Sequence, residues 1–217
     1  MALTLVIGNK NYSSWSLRPW LALAQNRIPF DEVLIPIATP ETAARIGKYS
    51  PAGRVPVLID GGVTVWESIA ILEHLAERFP DAKLWPEDPA ARAYARAISS
   101  EMHSGFRALR KHCPMNLKRR KKRPLTPEVE EDVRRITDLW RHARARFGTS
   151  GDFLFGAFSA ADCMYAPVAT RFVSYGIDAD PVSASYIETI HALPAFQEWQ
   201  KAGAAETMGH ATTDALA

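Results

Sequence analysis

Apolar positions change their period along the chain, and the changes mark the elements. Residues 3–7 (Leu-Thr-Leu-Val-Ile) are almost wholly apolar and predict a strand buried on both faces. A polar loop over 8–16 follows, and then Leu17, Trp20, Leu21 and Ala24 recur at helical spacing. Pro19 lacks an N–H and is harmless only in a first turn, which sets the start of this helix near Trp15 or Ser16. Residues 31–37 read as a second strand and 40–48 as a short helix or an irregular loop. Two β-branched runs, 57–59 and 63–65, are joined by the hairpin signal Asp60-Gly61-Gly62, with Pro56 at the strand entrance. Glu67-Ser68 then opens a helical run through Ile69, Leu72, Leu75, Ala76 and Phe79. The order β-α-β-α-β-β-α predicts a thioredoxin-like unit over residues 1–82, a mixed sheet with helices on both faces.

Strand signals stop at the Pro-rich stretch 84–89, and residues 88–217 predict an all-helical bundle. Asp88 as N-cap with Pro89 behind it starts a long helix reaching to about His112. Thr126-Pro127-Glu128 repeats the signal for a helix ending near Phe147-Gly148. Its opening carries Glu128, Glu130, Glu131 and Asp132, as the macrodipole favours. Ser159 with Asp162 forms a capping-box start, and Pro167 predicts a kink in the helix that follows. Shorter helices fall near 182–191 and 195–201, and the small, polar tail from Gly203 reads as frayed.

Composition adds limits. The 217 residues are 47% hydrophobic and 23% charged, with formal net charge +2, an ordinary globular balance. No apolar run reaches membrane-spanning length, and Met1-Ala2-Leu3-Thr4 has no basic leader, so no membrane partner is expected. Cys113 and Cys163 stand alone, which fits a reducing, cytoplasmic setting and no metal site. The basic run 118–123 lacks interleaved aromatics and reads as a solvated connection between helices, with no nucleic-acid partner.

The chemistry gathers in residues 53–68. Glu67 and Ser68 put a carboxylate and a hydroxyl at a helix start, where free N–H groups attract a ligand carboxylate and Glu67 can meet an ammonium. That pairing suits a small zwitterion. Read singly, Ser68 is an N-cap and Glu67 a charge on the helix dipole. The specific signal is the whole string, Val55-Pro56 followed by Glu67-Ser68. At this spacing the sequence resembles the glutathione transferase family. The resemblance implies a cis Val55–Pro56 bond presenting its backbone to the cysteinyl unit of glutathione, and Glu67 and Ser68 gripping the γ-glutamyl end. Arg54 then reaches towards the glycyl carboxylate, with Lys48 a weaker candidate and Arg18 structural.

A thiol of pKa about 8.5 is mostly protonated at neutral pH, so an enzyme using glutathione must favour the anion. Tyr12-Ser13-Ser14-Trp15-Ser16 sets hydroxyls just before the first helix. Ser13-Ser14-Trp15-Ser16-Leu17-Arg18 is similar to the serine motif of zeta-class transferases, which implies Ser13 as thiolate donor. Ser14 and Tyr12 are the alternatives. Trp15 stands where zeta enzymes carry cysteine, so no thiol role is carried over. Tyr12, Met102, His103 and Phe106 are the candidates for an electrophile pocket. The expected activity is addition of glutathione thiolate to an electrophilic small molecule, in a homodimer. The rivals are cis–trans isomerisation of an unsaturated dicarboxylate, of the maleylacetoacetate isomerase type, and a non-catalytic binding module.

Overall fold

The computed structural model describes residues 3–216; the start read at Met1 and Ala2 lies outside them. A four-stranded sheet runs in the order β2-β1-β3-β4. Its strands are β1 (Leu3–Ile7), β2 (Phe30–Leu34), β3 (Val57–Asp60) and β4 (Val63–Trp66). β1 pairs parallel with β2 and antiparallel with β3, and β3 pairs antiparallel with β4. The alternation of β1 settles the layers. Leu3, Leu5 and Ile7 face the main core with α1 (Ser14–Gln25) and α3 (Ser68–Arg78). Val6 faces the opposite way, with Ile35, Ile46 and Val57 under α2 (Thr42–Ile46). Helices therefore cover both faces, the thioredoxin-like arrangement expected from the element order.

After a 3-10 turn at Pro80–Ala82, the remaining elements are the helices α4 (Pro89–Ser104), α5 (Arg107–His112), α6 (Pro127–Phe147), α7 (Ala160–Tyr175), α8 (Pro181–Ala192), α9 (Pro194–Ala205) and α10 (Ala211–Leu216). Between Leu3 and Phe30 the parallel pairing forces a crossover, and α1 supplies it while packing on α7. α7 is buried along almost its whole length, and the Tyr165 hydroxyl donates to the Ile98 carbonyl at 3.0 Å.

Several expectations need correction. The helix expected to run to His112 breaks at Gly105-Phe106, where Phe106 adopts φ 51° and α5 restarts. A Cβ on Gly105 would sit 2.7 Å from the Glu101 carbonyl oxygen, so the chain turns where only glycine fits. α1 begins at Ser14 with Ser13 as N-cap, which puts Pro19 inside the helix rather than in its first turn. β2 stops at Leu34, although Ile35 N–H still donates to Ile7 O at 2.8 Å before Pro36. The tail from Gly203 is not frayed: α9 continues to Ala205, and α10 follows.

At the start of α7, the Asp162 carboxylate accepts from Leu154 N at 3.2 Å, Ser159 N at 2.8 Å and Ser159 Oγ at 2.9 Å. Burial pushes this carboxyl up to about 6, against the pull of its donors. A folded-state value above the unfolded one means that this group's stabilisation is full in acid and is lost as pH rises through about 6. Asp162→Asn, which cannot titrate and keeps one acceptor oxygen, should cost about 1–2 kcal/mol in acid. Its deficit against the wild type should shrink between about pH 4 and pH 7. Urea unfolding at a series of pH values checks this; a deficit that grows with pH would refute it.

Candidate functional site

Strand register builds the site. Val57 lies opposite both Val6 and Trp66, so Pro56 and Glu67, each one residue beyond, meet at the same end of the sheet. The Val55–Pro56 bond is cis, and Pro56 is buried. Glu67 has φ 68°, ψ 123°, a sparsely populated conformation for a residue with a side chain, of the kind that concentrates at binding sites. That conformation swings the chain from β4 into α3 and leaves Glu67 exposed while Ser68 is buried at the helix start.

A cleft of about 560 Å³ opens here, lined by Arg54, Val55, Pro56, Glu67 and Ser68 on one side. Trp15, His103, Arg107 and Arg110 line it from α1, α4 and α5. The His103 imidazole bridges the two sides, with Nε2 at 3.3 Å from Glu67 Oε2 and the ring edge-on to Trp15 at 5.2 Å. Burial, then Arg18, hold His103 below its ordinary pKa, with Glu67 pulling the other way.

Cations lie behind and beside the cleft. Arg18 is 1% exposed and donates to Ser68 Oγ at 3.3 Å, with its guanidinium 4.2 Å from the centre of the Trp15 ring. Burial first, then Arg171 and Arg110, bring it down to about 9, so it remains charged at neutral pH. Arg110 approaches the same Trp15 ring at 5.3 Å, and its buried Nε makes no hydrogen bond. Among the described residues neither Arg18 nor Arg110 forms an ion pair, so the site is poised for an incoming anion.

The structure thus brings Arg54, Val55, Pro56, Glu67, Ser68 and His103 to one cleft. Ser13 and Ser14 are buried at the start of α1 and do not line it; Ser13 Oγ donates to Ser16 Oγ at 2.7 Å. Three of the residues expected at an electrophile pocket do not line this cleft. Met102 is fully buried, Phe106 turns inward at the α4–α5 break, and Tyr12 donates to Asp214 at 3.0 Å on the side of the tail. Sequence reasoning missed Trp15, Trp66, Arg107 and Arg110 as lining residues. Gly105 was the available signal for the two arginines, because only a broken helix turns α5 back to the cleft.

The basic run is more than a solvated connection. Lys121 N–H donates to Ser174 O at 3.0 Å, Arg123 to His112 O at 2.8 Å, and Lys122 pairs with Asp178 at 2.9 Å. It laces α5 to the end of α7. Among the described residues no cluster of His, Cys, Asp or Glu could hold a metal ion, and no helix is long and apolar enough to cross a membrane.

Comparison with known proteins gives matching results at the level of sequence and fold. Residues 12–78 match the model for the glutathione S-transferase N-terminal domain, and 126–202 that for the C-terminal domain. Over 192 residues the chain is 31% identical to maleylacetoacetate isomerase of Rattus norvegicus, covering 85% of this chain and 87% of the relative. It is 28% identical over 189 residues to a probable maleylacetoacetate isomerase of Caenorhabditis elegans, with the same coverage of 85% and 87%. A solved glutathione transferase homolog from Burkholderia with bound glutathione superposes with TM-score 0.72 at 22% identity, over 94% of this chain and 98% of that one.

Proposed function

The chain belongs to the glutathione transferase family and is an enzyme of it, and from that premise we propose how its own residues hold and activate glutathione. The observation behind the proposal is the convergence of Arg54, Val55, Pro56, Glu67 and Ser68 on one cleft beside the start of α1. In this reading the γ-glutamyl carboxylate sits on the Ser68 hydroxyl and the free N–H groups of α3, with buried Arg18 behind it. Glu67 accepts from the ligand ammonium, the Val55 backbone pairs with the cysteinyl unit, and Arg54 meets the glycyl carboxylate. The sulfur then lies towards α1, where Ser13 donates to it and the helix N-terminus and Arg18 favour the anion. The thiol proton leaves to solvent. The thiolate forms a carbon–sulfur bond to the electrophile, which either expels a leaving group or takes up a proton.

We assign glutathione binding to residues 1–82 and most of the electrophile side to 88–217, and we propose a cytoplasmic homodimer. The buried free thiols of Cys113 and Cys163 suit a reducing compartment. The direct test is thiolate absorbance on titrating the protein with glutathione across pH. Binding with no fall in the thiol pKa would refute activation of the thiol by Ser13 and the start of α1.

One observation favours a second reading, isomerisation of an unsaturated dicarboxylate. Arg107 and Arg110 line the same cleft and are not among the residues assigned to glutathione. Two guanidiniums there suit a carboxylate on the second substrate. Arg107→Met and Arg110→Met should each raise KM for such a substrate by about ten-fold or more, with conjugation of a neutral electrophile unchanged. Equal losses on both substrates would count against a carboxylate site.

A further inference from the structure

The loop that delivers Ser13 is held from the C-terminal end of the chain. Lys10 N–H donates to Glu206 Oε1 at 2.6 Å and Asn11 N–H to Glu206 Oε2 at 3.1 Å, so one carboxylate spans two consecutive amides. Lys10 O accepts from Trp199 Nε1 at 3.0 Å. The Asn11 side-chain oxygen accepts from Leu117 N at 2.8 Å and Lys118 N at 3.2 Å. Lys118 Nζ in turn donates to the Glu206 carbonyl. The Tyr12 hydroxyl donates to Asp214, which also accepts from Asn116 Nδ2 at 3.1 Å.

Close packing seals this belt. A Cβ on Gly203 would lie 3.1 Å from Asn11 N and 2.7 Å from Leu117 Cδ1, so α9 reaches the loop only because residue 203 has no side chain. The other end of the loop leads to α1: Asn9 O accepts from Ser13 N at 2.8 Å, and the Gly8 N–H donates to Ser16 Oγ, the partner of Ser13 Oγ, at 3.1 Å. A shift at Lys10 and Asn11 is therefore a shift of the N-cap of α1. None of these tail residues lines the cleft.

We propose that Glu206 is a positioning residue for the reaction, fixing through the amides of Lys10 and Asn11 where the Ser13 hydroxyl stands, with Asp214 as a second, weaker anchor through Tyr12. The inference rests on the reading that Ser13 activates the glutathione thiol. Glutamine at 206 keeps the length but offers one acceptor oxygen, and turns its NH2 group against the other amide. Aspartate keeps both acceptors on a shorter arm.

The test compares full-length wild type, Glu206→Gln, Glu206→Asp and Asp214→Asn by thiolate absorbance of bound glutathione and by kcat/KM, both against pH. Glu206→Gln should raise the bound thiol pKa by about one unit and lower kcat/KM near pH 6.5 about ten-fold. Raising the pH should restore the rate, and glutathione affinity should hardly change. Asp214→Asn should move the profile the same way by less, and Glu206→Asp should fall between wild type and Glu206→Gln. A purely structural role would lower the active fraction alike at every pH. A folded Glu206→Gln with the wild-type thiol pKa overturns the proposal. If that variant does not fold, an unshifted Asp214→Asn overturns it instead. A wild type that binds glutathione without lowering its thiol pKa refutes the activation reading itself, an outcome separate from wild type and Glu206→Gln lowering it equally.

Discussion

Glu67→Ala is expected to weaken glutathione binding about 100-fold, the size of effect seen when one partner of a close charge pair is truncated. The side chain stands 46% exposed on the lip of the cleft, with the His103 ring as its partner at 3.3 Å. Folding asks little of it. Alanine tolerates φ 68° no better than glutamate, so the backbone cost is common to both and stability should stay within about 0.5 kcal/mol. Binding asks much more. Beside Arg54, Arg107 and Arg110, Glu67 is the lone carboxylate among the residues lining the cleft, so without it no lining anion meets the ligand ammonium. Calorimetry with glutathione and with an analogue lacking the amino group separates the causes. The wild type should prefer glutathione strongly, and Glu67→Ala should not discriminate. A folded variant with unchanged preference would remove Glu67 from the ammonium site.

The meeting of Pro56, Glu67 and Ser68 at one cleft is legible in the sequence because residues 53–68 are constrained locally. A hairpin turn sets the register of β3 and β4, and the register then sets Pro56 beside Glu67. What stays illegible depends on tertiary contact. The break at Gly105-Phe106 hides in a continuous helical period, since glycine within a helix only lowers its stability. Without the break, Arg107 and Arg110 point nowhere in particular. The tail reads as polar and small, yet Glu206 finds two backbone amides nearly 200 positions away in the chain, a pairing no local pattern announces. Met102 and Phe106 lie outside the cleft for the commonest reason: apolar side chains turned inward fill the core. The capping box at Ser159 and Asp162 is legible because its partners lie three residues apart.

Ser13→Ala carries the second large effect. In the structure the Ser13 hydroxyl donates to Ser16 Oγ at 2.7 Å, and Ser16 Oγ also accepts from the Gly8 N–H at 3.1 Å. Both hydroxyls rotate, so the direction is reversible. When a thiolate arrives, Ser16 can donate to Ser13 and Ser13 to sulfur, giving a chain from the Gly8 amide through two hydroxyls to the anion. Such chains strengthen each member. A hydrogen bond to a charged group contributes roughly 1.5–3 kcal/mol, which corresponds to about one to two units in the thiol pKa. Ser13→Ala should therefore raise that pKa by this amount and slow conjugation near neutral pH by about ten- to one-hundred-fold. Glutathione affinity should change far less, since the proposed binding mode assigns the tripeptide to Glu67, Ser68 and the Val55 backbone. Alkaline pH should recover most of the rate. Ser16→Ala should give a smaller shift of the same sign, because it removes support and not the donor. Thiolate absorbance and turnover against pH for Ser13→Ala, Ser14→Ala, Ser16→Ala and Tyr12→Phe decide the assignment. A profile moved only by Ser14→Ala passes the role to the neighbouring hydroxyl. One moved only by Tyr12→Phe is harder to reconcile with a phenol already committed to Asp214. It would mean that the tail lets go of Tyr12 when glutathione binds.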